Sequence, residues 1–110
     1  MPNNMSPLSR LEAKRDELSH SLRSLTGELQ IAHSAEAEES AMLQSAREDT
    51  AQEIRLRRRM LADVECAIAR WKLEAYGECV SCGKPIPPKR LEAMPEAAHC
   101  IRCAVAEVLR

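Results

Sequence analysis

"CVSCGKPIPPKRLEAMPEAAHCIRC", residues 79–103, opens and closes on a Cys-x-x-Cys pair, with seventeen residues between Cys82 and Cys100. Each pair makes a tight turn that aims two sulfurs at one point. Two such pairs at this separation supply the four thiolates of one tetrahedral zinc site. Gly83, directly after Cys82, suits the backbone of that turn. The predicted ligands are therefore Cys79, Cys82, Cys100 and Cys103, holding one Zn2+. An all-cysteine shell is closed, so the ion is structural; a catalytic zinc keeps an open position. The competing readings are unrelated buried cysteines or a redox pair. Redox Cys-x-x-Cys motifs come singly at a helix start in a βαβ setting, which is absent here. Four thiolates (−4) and Zn2+ (+2) leave −2, which Lys84, Lys89, Arg90 and Arg102 are close enough in sequence to offset. His99, beside Cys100, is an alternative ligand that four well-spaced cysteines make unnecessary. Cys66 is left over, as a free thiol or one packed under the zinc module.

A metal staple suits the rest of the chain. Among 110 residues there are one Trp, one Tyr and no Phe, so only a thin core can form. Ala, Leu, Glu and Arg dominate, as in long helices and coiled coils. Ser6 before Pro7 reads as an N-cap with proline at the first helical position. Leu11, Leu18, Leu22, Leu25 and Leu29 then recur at steps of seven, four, three and four. A second stripe runs Ile54, Leu61, Val64, Ile68 and Trp71, with Arg57 interrupting it. Neither stripe can bury itself alone. One continuous helix would have to dimerise over its whole length, whereas a hairpin lays one stripe on the other within the chain. The two heptad phases do not run smoothly through residues 33–42, which favours a bend there. The expected fold is mainly α: a long antiparallel helical hairpin, a small four-cysteine zinc-finger module and a short C-terminal helix. The expected divisions are a leader over 1–6, the hairpin over 7–77 and the zinc module with its helix over 78–110. Gly77 is the expected cap where the second long helix ends.

Composition also narrows the function. A net charge of −1 gives no bulk attraction to nucleic acid, so direct DNA binding is not expected. No apolar run approaches the roughly 20 residues of a membrane span, and "MPNNMSPLSR" has no apolar signal segment. A cytoplasmic, monomeric protein is expected. No nucleophile, base or open metal site is visible, so an enzyme is not.

The zinc region resembles the DksA/TraR family of bacterial transcription regulators. The shared elements are Tyr76-Gly77, Cys79, Cys82-Gly83, Ile86, Arg90-Leu91-Glu92-Ala93, Pro95, Cys100 and Cys103. The phase of the preceding helix through Leu61, Val64, Ile68 and Trp71 fits as well, so the resemblance covers roughly residues 36–103. It implies a non-enzymatic factor that binds RNA polymerase. In the family the hairpin prong enters the secondary channel and modulates initiation, while the zinc end grips the channel rim. Some members act jointly with ppGpp, which makes it a candidate co-regulator here. The family's tip motif, Asp-x-x-Asp-x-Ala, falls on Glu36, Glu39 and Ala41, so this chain reads Glu-x-x-Glu-x-Ala. Each carboxylate stands one methylene further out.

Two charge runs have plainer readings as well. The glutamates of residues 36–39 can be a solvated face, the usual meaning of such a run. In "RLRRR", residues 55–59, the arginines can pair with Glu12, Asp16 and Glu17 on the facing helix, or Arg55, Arg58 and Arg59 can form a basic flank that meets a partner. The alternative function is a zinc-stapled helical adaptor, or a polymerase-docking paralogue without regulatory activity.

Overall fold

A computed structural model of the chain describes residues 6–34 and 41–109. The described elements are α1 (Pro7–Ser34), α2 (Ala41–Lys72), α3 (Pro88–Ala93) and α4 (Ile101–Val108). The protein is mainly α, a helical hairpin followed by a four-cysteine module. The bend expected over 33–42 centres on residues 35–40, which lie outside the described residues.

The start of α1 is built as its sequence demands. Ser6 Oγ accepts the Ser9 N–H at 3.1 Å, and the Ser6 carbonyl accepts the Arg10 N–H at 3.1 Å. One of the helix's orphan donors is thereby satisfied by a side chain.

The end of α2 departs from expectation. The helix stops at Lys72, not near Gly77. The Ala75 N–H reaches back to the Arg70 carbonyl at 2.9 Å, and the Glu74 N–H to the Trp71 carbonyl at 3.1 Å. These are the two bonds of a Schellman cap, with Glu74 in the left-handed position at φ 59°. Glycine is the usual occupant of that position, and a side chain there crowds the backbone. Glu74→Gly should therefore raise stability by about 1 kcal/mol. A higher denaturant midpoint at unchanged m-value would show it; a lower midpoint would mean the Glu74 side chain contributes more than its backbone strain removes.

The chain divides into two packing units, 16–61 and 1–15 with 62–110. In the first, Leu18 and Ile54 are buried, with Leu22, Leu25, Leu29 and Leu61 half-buried. Arg57, the interruption in the stripe, is half-buried and pairs with Glu53 one turn earlier at 3.3 Å. Such a pair, acid first, adds about 0.3–0.5 kcal/mol and lets the arginine sit on an apolar stripe. In the second unit, Leu11 and Val64 are fully buried, joined by Ala67, Ile68, Cys79, Ile86 and Ala97. The stripes read from spacing are thus the core. Among the described residues no helix is long and apolar enough to cross a membrane.

Candidate metal centre

Everything after α2 serves to bring two short segments face to face. Gly77, at φ 86°, turns the chain, and its carbonyl accepts the Ile86 N–H at 2.7 Å. Glu78 and Pro85 form an antiparallel bridge. Inside it, the Cys79 N–H bonds the Lys84 carbonyl and the Gly83 N–H bonds the Cys79 carbonyl, both at 2.9 Å. The loop closes only because Gly83 takes φ 76°. The second pair is set differently: Cys100 is the N-cap of α4 and Cys103 lies in its first turn. A bond from the Val80 N–H to the Ala98 carbonyl, 2.9 Å, holds the two segments together.

The sulfurs of Cys79, Cys82, Cys100 and Cys103 all lie within 4.8 Å of one another, and those of Cys82 and Cys100 are 3.8 Å apart. A tetrahedral zinc with Zn–S bonds of about 2.3 Å has sulfur–sulfur edges of about 3.8 Å. The four residues fit Zn2+ in number, type and spacing, and form a C4 zinc-binding site. It is the one such cluster among the described residues. Cys66 is exposed and stands outside it. So does His99, whose carbonyl accepts the Arg90 Nε–H at 2.9 Å. Of the cations expected to offset the site's charge, Lys84 and Arg102 line a cavity of about 320 Å³ beside Cys82, Cys100 and Cys103.

The thiols divide the protons unequally. Burial pushes the Cys79 thiol up, but hydrogen bonds from the Cys100, Cys82 and Ser81 backbone and from the Cys103 thiol outweigh it, and its pKa falls to about 5. The Cys100 thiol is also lowered, first by the backbone of Cys103. Cys103 is pushed up to about 12, chiefly by hydrogen bonds to Cys100 and Cys79. The lowered Cys79 thiol favours its thiolate, and the raised Cys103 thiol favours its protonated form. Zinc needs all four thiolates, so binding must expel at least the Cys103 proton, and affinity must fall as pH falls. The expected loss is about tenfold per pH unit for each proton displaced. Zinc titrations in buffers of different ionisation enthalpy check this; a pH-independent affinity with no proton release contradicts it.

A second set of contacts fastens the segment between the cysteine pairs to both long helices. Lys14 reaches both carboxylate oxygens of Glu96 at 2.8 Å. Arg10 donates to the Glu92 carbonyl and Arg70 to the Glu96 carbonyl, each at 3.4 Å. The Tyr76 hydroxyl donates to the Pro95 carbonyl at 2.8 Å. No local pattern signals the Lys14–Glu96 pair, whose partners are 82 residues apart. Only Tyr76, an isolated phenol beside a turn glycine, carried a signal that it would seek a partner.

The remaining site candidates are placed as follows. Arg55, Arg58 and Arg59 are exposed on α2, with no hydrogen bond or ion pair among the described residues. The facing-helix pairing considered for this run is thus not seen for these three. Glu36 and Glu39 lie outside the described residues, and Ala41 is the first residue of α2.

The chain was compared with known proteins. Residues 74–107 match the family described as the prokaryotic dksA/traR C4-type zinc finger. No curated protein sequence matches the chain. Among solved structures, transcription factor DksA2 from Pseudomonas aeruginosa aligns with a TM-score of 0.82 at 24% identity, covering 94% of this chain and 81% of that one. At that identity the likeness speaks for the fold. The DnaK suppressor protein from Agrobacterium tumefaciens C58 aligns with a TM-score of 0.62 at 25% identity, covering 96% of this chain and 99% of that one. Its zinc finger is thus of the dksA/traR C4 type by sequence, and its helical hairpin is like that of these two proteins in fold.

Proposed function

We propose that this protein is a DksA-like regulator that binds RNA polymerase and inserts its hairpin, residues 7–77, into the secondary channel to modulate transcription initiation. The observation that carries the reading is the joint occurrence of the C4 zinc finger and the hairpin in one chain. In this reading the zinc is structural, and the module over 78–110 stays outside and grips the channel rim. The working end is the tip, with Glu36 and Glu39 presenting carboxylates toward the active-site region. Arg55, Arg58 and Arg59, exposed and without partners among the described residues, form a basic flank available to acidic or phosphate groups of the partner. The protein acts without catalysis of its own, and ppGpp is a candidate joint ligand at the polymerase. A cytoplasmic location follows from this role.

The tip and the rest of the molecule make separable contributions. In this reading the rest of the hairpin and the module at the rim carry most of the affinity, so Glu36→Ala with Glu39→Ala should leave it within about threefold. It should nonetheless change promoter open-complex lifetime in an in-vitro transcription assay. An unchanged lifetime, with polymerase still bound, would assign the tip no regulatory role and leave the docking paralogue.

A further inference from the structure

The protein's two aromatic side chains stand together. The sequence holds one Trp, one Tyr and no Phe. The rings of Trp71 and Tyr76 have centroids 5.3 Å apart and planes at 66°. Both line a cavity of about 590 Å³, with Leu8, Lys72 and Glu74. These five residues belong to one packing unit. Glu74 is also the one non-glycine residue with positive φ among those described. Strain that could be relieved by glycine, held at a residue whose side chain lines a cavity, directs attention to what that side chain does.

We propose that Trp71, Tyr76 and Glu74 form a cage for one basic side chain, the guanidinium of an arginine presented by a protein partner. The argument is chemical complementarity. Aromatic faces carry partial negative charge and attract a cation. Both rings line the cavity and offer it such charge. Glu74 is the one carboxylate among the described lining residues, and it completes the negative lining. A flat guanidinium stacks on a ring while pairing with a carboxylate, which an ammonium does less well. Leu8 offers an apolar wall to the aliphatic stem. Three cations of the protein itself lie near the cage: Arg10 and Arg70, whose charges act on Tyr76, and Lys72. Arg10 and Arg70 donate to the backbone carbonyls of Glu92 and Glu96. Lys72 lines the cavity, is exposed, and sets a like charge on its rim. No cage residue is a tip candidate or a zinc ligand, so the proposal is the same whichever protein is the partner.

The single tryptophan makes the test direct, since the full-length, zinc-loaded protein has one indole N–H signal. That signal is followed by NMR while N-acetyl-arginine amide or N-acetyl-norleucine amide is added. The arginine probe should shift it saturably in the millimolar range, and the uncharged probe should not. Glu74→Gln should weaken the arginine response about two- to fivefold, and Lys72→Met should strengthen it by a similar factor. Both substitutions are at exposed positions away from the core, and retained zinc confirms that each variant is folded. Equal responses to the two probes would make the cavity a plain apolar pocket and overturn the proposal. So would no response to arginine at tens of millimolar, or an arginine response insensitive to Glu74→Gln.

Discussion

Cys79→Ser should unfold the zinc module and release the metal. Cys79 is the most buried of the four ligands, 2% exposed, and its own N–H and carbonyl make two of the hydrogen bonds of the first turn. A hydroxyl in its place offers no thiolate, so three ligands remain in a site spaced for four. Because such a site does not exist in the unfolded chain, metal-binding free energy is folding free energy, on the order of 10 kcal/mol. That exceeds what the module's own apolar core can supply, since Ile86, Pro95 and Ala97 are its only fully apolar side chains buried among the described residues. Metal analysis should fall from one equivalent to well under one. Amide exchange protection should be lost across the Val80–Ala98 and Ile86–Gly77 bonds. Cys66→Ser is the control. Cys66 is exposed and outside the cluster, so zinc content and stability should stay as they are. Full zinc content in Cys79→Ser would refute the ligand assignment.

Leu11→Ala should lower unfolding free energy by about 2–5 kcal/mol. Leu11 is fully buried, as is Val64, and these are the largest side chains so enclosed. Removing Leu11's branched end deletes transfer free energy and leaves a cavity that two rigid helices cannot close. Leu73→Ala provides the contrast: Leu73 is 78% exposed, and its loss should change stability by no more than about 0.5 kcal/mol. Urea unfolding at constant m-value measures both. A Leu11→Ala effect no larger than that of Leu73→Ala would mean the core has been misplaced.

Some of this was readable from the residues and some was not, for physical reasons. The cysteine spacing was enough for the metal site because ligand chemistry is local within each pair and only one separation remains to be satisfied. The two stripes were enough for the buried faces because helix periodicity maps sequence onto one side of the helix. Leu11, Leu18, Ile54, Val64 and Ile68 are buried as their spacing predicts. The end of α2 lies four residues before the one its glycine suggests, because the left-handed position goes to Glu74 and not to Gly77. A glutamate in that conformation has no signature in sequence. The ties from Arg10, Lys14 and Arg70 to residues 92–96 were invisible for another reason: they join segments far apart in the chain, and surface charges have many possible partners. The tip glutamates stay where sequence left them, as an inference from register, since they fall outside the described residues.

The proposed role rests on binding to RNA polymerase. Its most direct test is sedimentation of the full-length, zinc-loaded protein with bacterial core RNA polymerase. One copy bound per polymerase is expected at micromolar concentration, without DNA or ppGpp present. Absence of co-sedimentation at tens of micromolar would contradict it and leave the chain a zinc-stapled helical adaptor for some other protein.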